Sequence, residues 1–197
     1  MSQPSTTNPS AAGRSSDAPA RGGKEGRFIV IFGTKGGVGK TVVSANLAVS
    51  LAQHLRKPVC LIDLDLMGAG DVAKVLNVAP KSSIADLASV LKQRATAQSS
   101  PREGTDKRLS LDGVLVPHSS GVHVLASVSN PRQLGQIDPE TLPILFNELK
   151  TRYAYVIVDG GNSFSEALIA AFEASNLILL VATPDIISLY QTKWALG

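Results

Sequence analysis

The stretch Phe28-Ile29-Val30-Ile31-Phe32-Gly33-Thr34-Lys35-Gly36-Gly37-Val38-Gly39-Lys40-Thr41 decides the fold. Five large apolar residues in succession read as a strand covered on both faces, as in a parallel sheet flanked by helices. Gly33 stops the run. A helix follows from Thr41 to His54, with Val43, Leu47, Ala48 and Leu51 at helical spacing. Between strand and helix, Gly33 through Thr41 follows G-x-x-x-x-G-K-[ST] with one residue added, five in place of four standing between Gly33 and Gly39. Glycines let such a loop curl until successive backbone N–H groups converge on an anion. The helix beginning at Lys40 adds the positive end of its dipole. The expected phosphate cradle is therefore Gly33, Thr34, Lys35, Gly36, Gly37, Val38, Gly39, Lys40 and Thr41. In it Lys40 reaches the β- and γ-phosphates, and the Thr41 hydroxyl ligates Mg²⁺.

Three more apolar runs follow: Val59 to Ile62, Tyr155 to Val158 and Leu177 to Val181. Pro139 to Arg152 reads as a helix with Asp138 as N-cap and Leu142, Leu145, Phe146 and Leu149 on one face. Ser165 to Ala174 reads as another, apolar at Leu168, Ile169 and Phe172. Short strand-like runs stand at Val114 to Val116 and Val122 to Leu125, and the polar stretch from Gln93 to Ser110 reads as a surface loop. Strands alternating with helices, without hairpin signals between them, mean right-handed crossovers. The expected fold is α/β, a doubly wound and mostly parallel sheet with helices on both faces.

Two of these strands end in acids. Leu61-Ile62-Asp63-Leu64-Asp65 carries two carboxylates that alternation along a strand points the same way, and Tyr155-Val156-Ile157-Val158-Asp159 carries one. All three lie at the carboxyl end of the sheet, where open α/β sheets bind their ligands.

The first 27 of 197 residues are different in kind. Eighteen of them are Ser, Thr, Pro, Ala or Gly, and none after Met1 is a large aliphatic or aromatic residue. Residues 1–27 read as a disordered tail and 28–197 as one domain. A chain with 44% hydrophobic and 18% charged residues is not disordered throughout, nor collagenous or a coiled coil. Four basic and two acidic residues of the tail supply two of the three net positive charges, so the domain is close to neutral. That is no footprint for strong DNA binding. Cys60 is alone, which excludes an intrachain disulfide, and it reads as a buried small hydrophobe. No apolar stretch approaches the roughly 18–20 residues of a membrane span. His54, His118 and His123 have no ligand spacing among them. With no leader-like N-terminus either, a cytoplasmic protein is expected.

Lys35 narrows the family. The run Lys35-Gly36-Gly37-Val38-Gly39-Lys40-Thr41 resembles the deviant Walker A motif of the MinD/ParA group of P-loop ATPases, the SIMIBI nucleotide switches. The resemblance implies ATP and Mg²⁺ as cofactors. It implies that Lys35 acts in trans, crossing to a partner subunit's phosphates when two ATP-bound monomers close face to face. By the same resemblance Asp63-Leu64-Asp65 is switch I, in which Asp65 orients the attacking water and Asp63 holds Mg²⁺ through a water, and Asp71 belongs to the same switch. Asp159 is the Walker B acid, holding Mg²⁺ through a water, and Gly160-Gly161 is switch II. Many relatives have a proline two or three places after that acid, where Gly161-Asn162 stands here. The implied catalytic residues are Lys35, Lys40 and Asp65; the implied metal ligands are Thr41, Asp63 and Asp159.

Leu61-Ile62-Asp63-Leu64-Asp65-Leu66 followed by Gly70-Asp71-Val72-Ala73, then Ser83-Ile84-Ala85-Asp86-Leu87 and Ser120-Gly121-Val122-His123-Val124-Leu125-Ala126, resemble the CpaE/TadZ branch, which takes part in pilus assembly and polar localisation. The implied protein is a slow, dimer-dependent ATPase switch that recruits a protein partner, at a cell pole or peripheral to the inner membrane. Alternatives are a nucleotide-holding scaffold with little hydrolysis and a ParA-like partitioning ATPase. A bacterial tyrosine kinase would want an arginine soon after Asp65 and a tyrosine cluster, and Leu66-Met67-Gly68 and the scattered Tyr153, Tyr155 and Tyr190 supply neither. Relatives continue beyond the fourth strand, so the domain is expected to be C-terminally truncated at Gly197.

Overall fold

The computed structural model describes residues 25–97 and 111–197, apart from residues 69 and 112. Residues 1–24 of the expected tail and 98–110 of the expected loop lie outside the described residues.

The strands are β1 (Arg27–Phe32), β2 (Val59–Asp63), β3 (Val116–Pro117), β4 (Val122–Leu125), β5 (Tyr155–Asp159) and β6 (Leu177–Leu180). The helices are α1 (Lys40–Leu55), α2 (Asp71–Val75), α3 (Ile84–Ala97), α4 (Leu142–Arg152), α5 (Glu166–Ala174) and α6 (Ile186–Leu196). One sheet runs in the order β3-β4-β2-β5-β1-β6. Every neighbouring pair is parallel except β3 with β4. This is the doubly wound, mostly parallel sheet that the apolar runs predict.

Alternation along β1 divides the interior in two. Phe28, Val30 and Phe32 join Cys60, Ile62 and the buried faces of α3, α4 and α5. Ile29 and Ile31 face the other way, onto α1 and α2 with Leu61 and Ile157. A continuous apolar strand is what a sheet needs when both faces are covered. Cys60 is fully buried among these side chains, as expected.

Four local expectations change. The buried stripe of α1 is Ser44, Ala45, Ala48 and Ala52, while Val43 turns outward. Small residues let the helix sit close on the sheet directly below the phosphate loop, and the branched residues border that seam. On α5 the buried residues are Ala167, Leu168 and Ala171, and Ile169 is half-exposed. The polar run after Gln93 begins as helix, because α3 continues to Ala97. Its start is fixed by Asp86, whose Oδ2 accepts from the Ser83 backbone N–H at 2.7 Å and hydroxyl at 2.9 Å. The chain also joins the sheet earlier than composition indicates. Gly26 N–H donates to Lys150 O, Arg27 N–H donates to Ala154 O, and Arg27 is in register with Tyr155.

The edge beyond β1 is apolar and open. Leu177 and Ile178 of β6 are half-exposed, and Ile186, Tyr190 and Trp194 of α6 are exposed. Among the described residues no helix is long and apolar enough to cross a membrane.

Candidate functional site

β1 delivers the chain to Gly33 at the carboxyl edge of the sheet, where Val181 N–H donates to Phe32 O at 2.7 Å. The loop then turns through two left-handed glycines, Gly37 (φ 77°) and Gly39 (φ 95°). A side chain at either would be strained. Gly39 is the N-cap of α1, and no side chain caps that helix and no acid stands in its first turn. An uncapped N-terminus opening into a glycine cradle leaves backbone N–H groups for an anion. The loop fits phosphate.

Lys40 lies across this cradle. It is 7% exposed, and its ammonium donates to Lys35 O at 2.9 Å. Burial lowers its pKa, against the opposing pull of Asp159 and Asp65. A desolvated ammonium held beside carboxylates is poised for a more highly charged anionic ligand.

The carboxylates converge as the sequence suggests, by a different route. Asp63 and Asp159 are directly opposite in the β2–β5 register and almost fully buried. Burial, then the neighbouring Asp159, pushes the Asp63 carboxyl up to about 7. Burial also raises Asp159, against hydrogen bonds from the Thr41 and Ser44 hydroxyls. β2 stops at Asp63, so a turn rather than strand alternation brings Asp65 to the cluster. Asp65 N–H donates to Asp63 Oδ1 at 3.2 Å, and Val72 N–H donates to Asp63 Oδ2 at 3.4 Å. Both Asp63 oxygens thus staple the loop that follows the strand. Asp71 stands apart, paired with Lys74 on the surface.

Ser44 was invisible to motif reading. One turn beyond Lys40, its hydroxyl lies 2.9 Å from Lys40 O and 3.4 Å from Asp159 Oδ1. Asp185, just beyond β6, caps α6 by accepting from Ser188 N–H at 3.0 Å, and it also binds Lys35 at 2.9 Å.

Among the described residues no group of three or more His, Cys, Asp or Glu could hold a metal ion unaided. Thr41 and Asp159 offer the hard oxygens that Mg²⁺ prefers, which it supplements with phosphate oxygens and waters. The donor set fits a cation that arrives with a nucleotide. His123, by contrast, hydrogen-bonds Tyr153 at 2.7 Å, away from this cluster.

Strand, glycine cradle, buried lysine, hydroxyl and strand-end acid together define a P-loop nucleotide-binding domain. The sequence pattern of a family described as an AAA domain matches residues 26–193, and the chain belongs to that family as a MinD/ParA-type P-loop ATPase. Septum site-determining protein MinD of Bacillus subtilis is 30% identical over 172 residues, 87% of this chain and 59% of that protein. An uncharacterized ATP-binding protein of Methanocaldococcus jannaschii is 30% identical over 162 residues, 82% of this chain and 55% of that protein. The structure of MinD from Pyrococcus horikoshii, complexed with Mg-ADP, has the same fold, with a TM-score of 0.67 at 24% identity. That likeness covers 86% of this chain and 63% of the other. The chain spans little more than half the length of these two curated relatives.

Proposed function

We propose that the chain is the nucleotide-handling part of an ATP-dependent dimerisation switch that positions a cellular machine. The observation that carries this reading is the placement of Lys35. It belongs to the cradle in sequence, yet its ammonium leaves the cradle and stands partly exposed against Asp185. Once released from Asp185, a lysine so placed can reach a second subunit's phosphates. Two chains meeting face to face would each complete the other's charge neutralisation.

In this account the loop amides of residues 33–41 and Lys40 bind the phosphates, and Thr41 and Asp159 hold Mg²⁺. Bound Mg²⁺ supplies neutralisation of phosphate charge. Ser44 orients Asp159. Asp63 shapes the switch loop more than it ligates, because backbone N–H groups occupy both its oxygens. Asp65 orients the water whose oxygen bonds to the γ-phosphorus as the bond to the β-phosphate oxygen breaks, giving ADP and phosphate. Hydrolysis is slow because the output is a conformational state rather than a product.

The site-determining relative supports positioning as the cellular role. The four segments that resemble the CpaE/TadZ branch support a pilus or secretion apparatus as the machine, with a protein partner at a pole or the inner membrane. The nearly neutral domain speaks for a protein partner over a ParA-like role on DNA. A second reading, a nucleotide-holding scaffold, is favoured by one observation: Gly160-Gly161-Asn162 stands where many relatives carry proline.

Phosphate release separates the two. The switch predicts Mg²⁺-dependent turnover that falls by about a hundredfold in Lys35→Ala and in Asp65→Ala, while ADP affinity is retained. Tight ATP binding with no phosphate released by the unaltered protein would leave the scaffold standing.

A further inference from the structure

We propose that Gly161 is a positioning residue for Asp65, holding open the space in which that carboxylate stands; its consequence for hydrolysis rests on the reading of Asp65 given above. Gly161 is left-handed, with φ 67°. A Cβ there would lie 2.8 Å from Asp65 Cγ, 3.0 Å from Oδ1 and 3.1 Å from Cβ. Atoms that close must move apart. The Asp65 side chain is bounded a second time by Gly68, whose N–H donates to Oδ1 at 3.1 Å and whose own Cβ would stand 3.0 Å from Asp65 Cγ. One carboxylate therefore fits between the bare backbones of two segments, one after β2 and one after β5.

Neither backbone is free to retreat. Before Gly161, Gly160 N–H donates to Ile31 O at 2.8 Å, and a Cβ on Gly160 would already meet Leu168 Cδ1 at 2.7 Å. After it, the Phe164 ring packs 5.0 Å from Phe32, the residue before the phosphate loop, and 6.4 Å from Phe172 of α5. Asp65 is tied equally well. Its N–H donates to Asp63, and its carbonyl accepts from Gly68 N–H at 3.0 Å and from the Ser127 hydroxyl at 3.1 Å. With both main chains anchored, a methyl group at 161 must turn the Asp65 side chain out of its rotamer. That takes the carboxylate away from its neighbours Asp159 and Lys40. The segment after the Walker B acid sets where the switch I carboxylate points.

The test is a double-mutant cycle of Gly161→Ala with Asp65→Ala, read in two ways. In denaturant unfolding of the nucleotide-free protein, Gly161→Ala is expected to lower the midpoint more in the parent than in the Asp65→Ala background. Backbone strain from the positive φ is common to both backgrounds and cancels. In phosphate release, Gly161→Ala is expected to lower kcat by about tenfold or more with ADP affinity changed by less than about threefold, and to lower it no further once Asp65 is alanine. Equal midpoint shifts in both backgrounds would overturn the contact. An equal loss of kcat in both would overturn the positioning role. If the unaltered protein binds ATP and releases no phosphate, the reading of Asp65 as catalytic fails, and the unfolding cycle alone decides whether Gly161 positions it.

Discussion

Lys35 Nζ stands 2.9 Å from Asp185 Oδ1, an ion pair that ties the phosphate loop to the N-cap of α6. The Thr183 hydroxyl, the Ser188 N–H and then Lys35 hold the Asp185 carboxyl well below the usual carboxylate range. So the lysine assigned to the partner is held within its own chain. Asp185→Asn keeps a competent helix cap and removes the charge. The variant is expected to dimerise at lower Mg-ATP concentration than the parent, as measured by light scattering across an ATP titration. Superimposable titrations would show that the pair does not restrain Lys35.

Lys40→Ala removes a buried ammonium from the centre of the cradle and leaves the Lys35 carbonyl without that donor. ADP affinity is expected to fall by about a hundredfold or more, which is roughly 2.7 kcal/mol. Calorimetric titration measures this directly. An affinity within a few fold of the parent would place the phosphates elsewhere.

Stability depends on the face of the sheet opposite α1. Phe28 is fully buried, with its ring 5.0 Å from that of Phe146. Phe28→Ala is expected to cost about 3–5 kcal/mol in urea unfolding. Val42→Ala, at a site 54% exposed on α1, is expected to cost under about 0.5 kcal/mol. Similar losses at the two positions would contradict the burial described.

Much of this was legible in the sequence because the signals are local. Five apolar residues, a glycine loop and a helix stand in one unbroken stretch, and Asp159 ends an apolar run of its own. The misreadings have local causes too. Val43 shares helical spacing with Leu47 and Leu51, so periodicity places it inside, yet it is exposed, and close helix-to-sheet packing selects Ala45, Ala48 and Ala52. Residues 93–97 are polar enough to read as loop, yet the backbone of α3 runs on through Ala97. What no local signal carries is contact between distant segments. Lys35 with Asp185, Asp65 with Gly161 and Ser44 with Asp159 are each brought together by the sheet.

The pair His123 and Tyr153 gives a pH signature away from the nucleotide site. Burial lowers the His123 pKa from 6.5, so the folded chain favours the neutral ring. Below about pH 6.5 the unfolded chain binds more protons at this position, and stability falls as pH falls. His123→Gln is expected to remove that component, so the gap in unfolding midpoint between variant and parent should narrow from pH 7.5 to about pH 5.5. A gap independent of pH would mean that His123 does not carry it.

The central claim is that ATP, and not ADP, brings two chains together through Lys35. Light scattering coupled to size exclusion tests it most directly, on the parent and Lys35→Ala, each nucleotide-free, with Mg-ADP and with Mg-ATP. The account predicts the 20.6 kDa mass of one chain in every case except the parent with Mg-ATP, where the mass doubles. One unchanging mass for the parent in all three states, under conditions where ATP is bound, would contradict it.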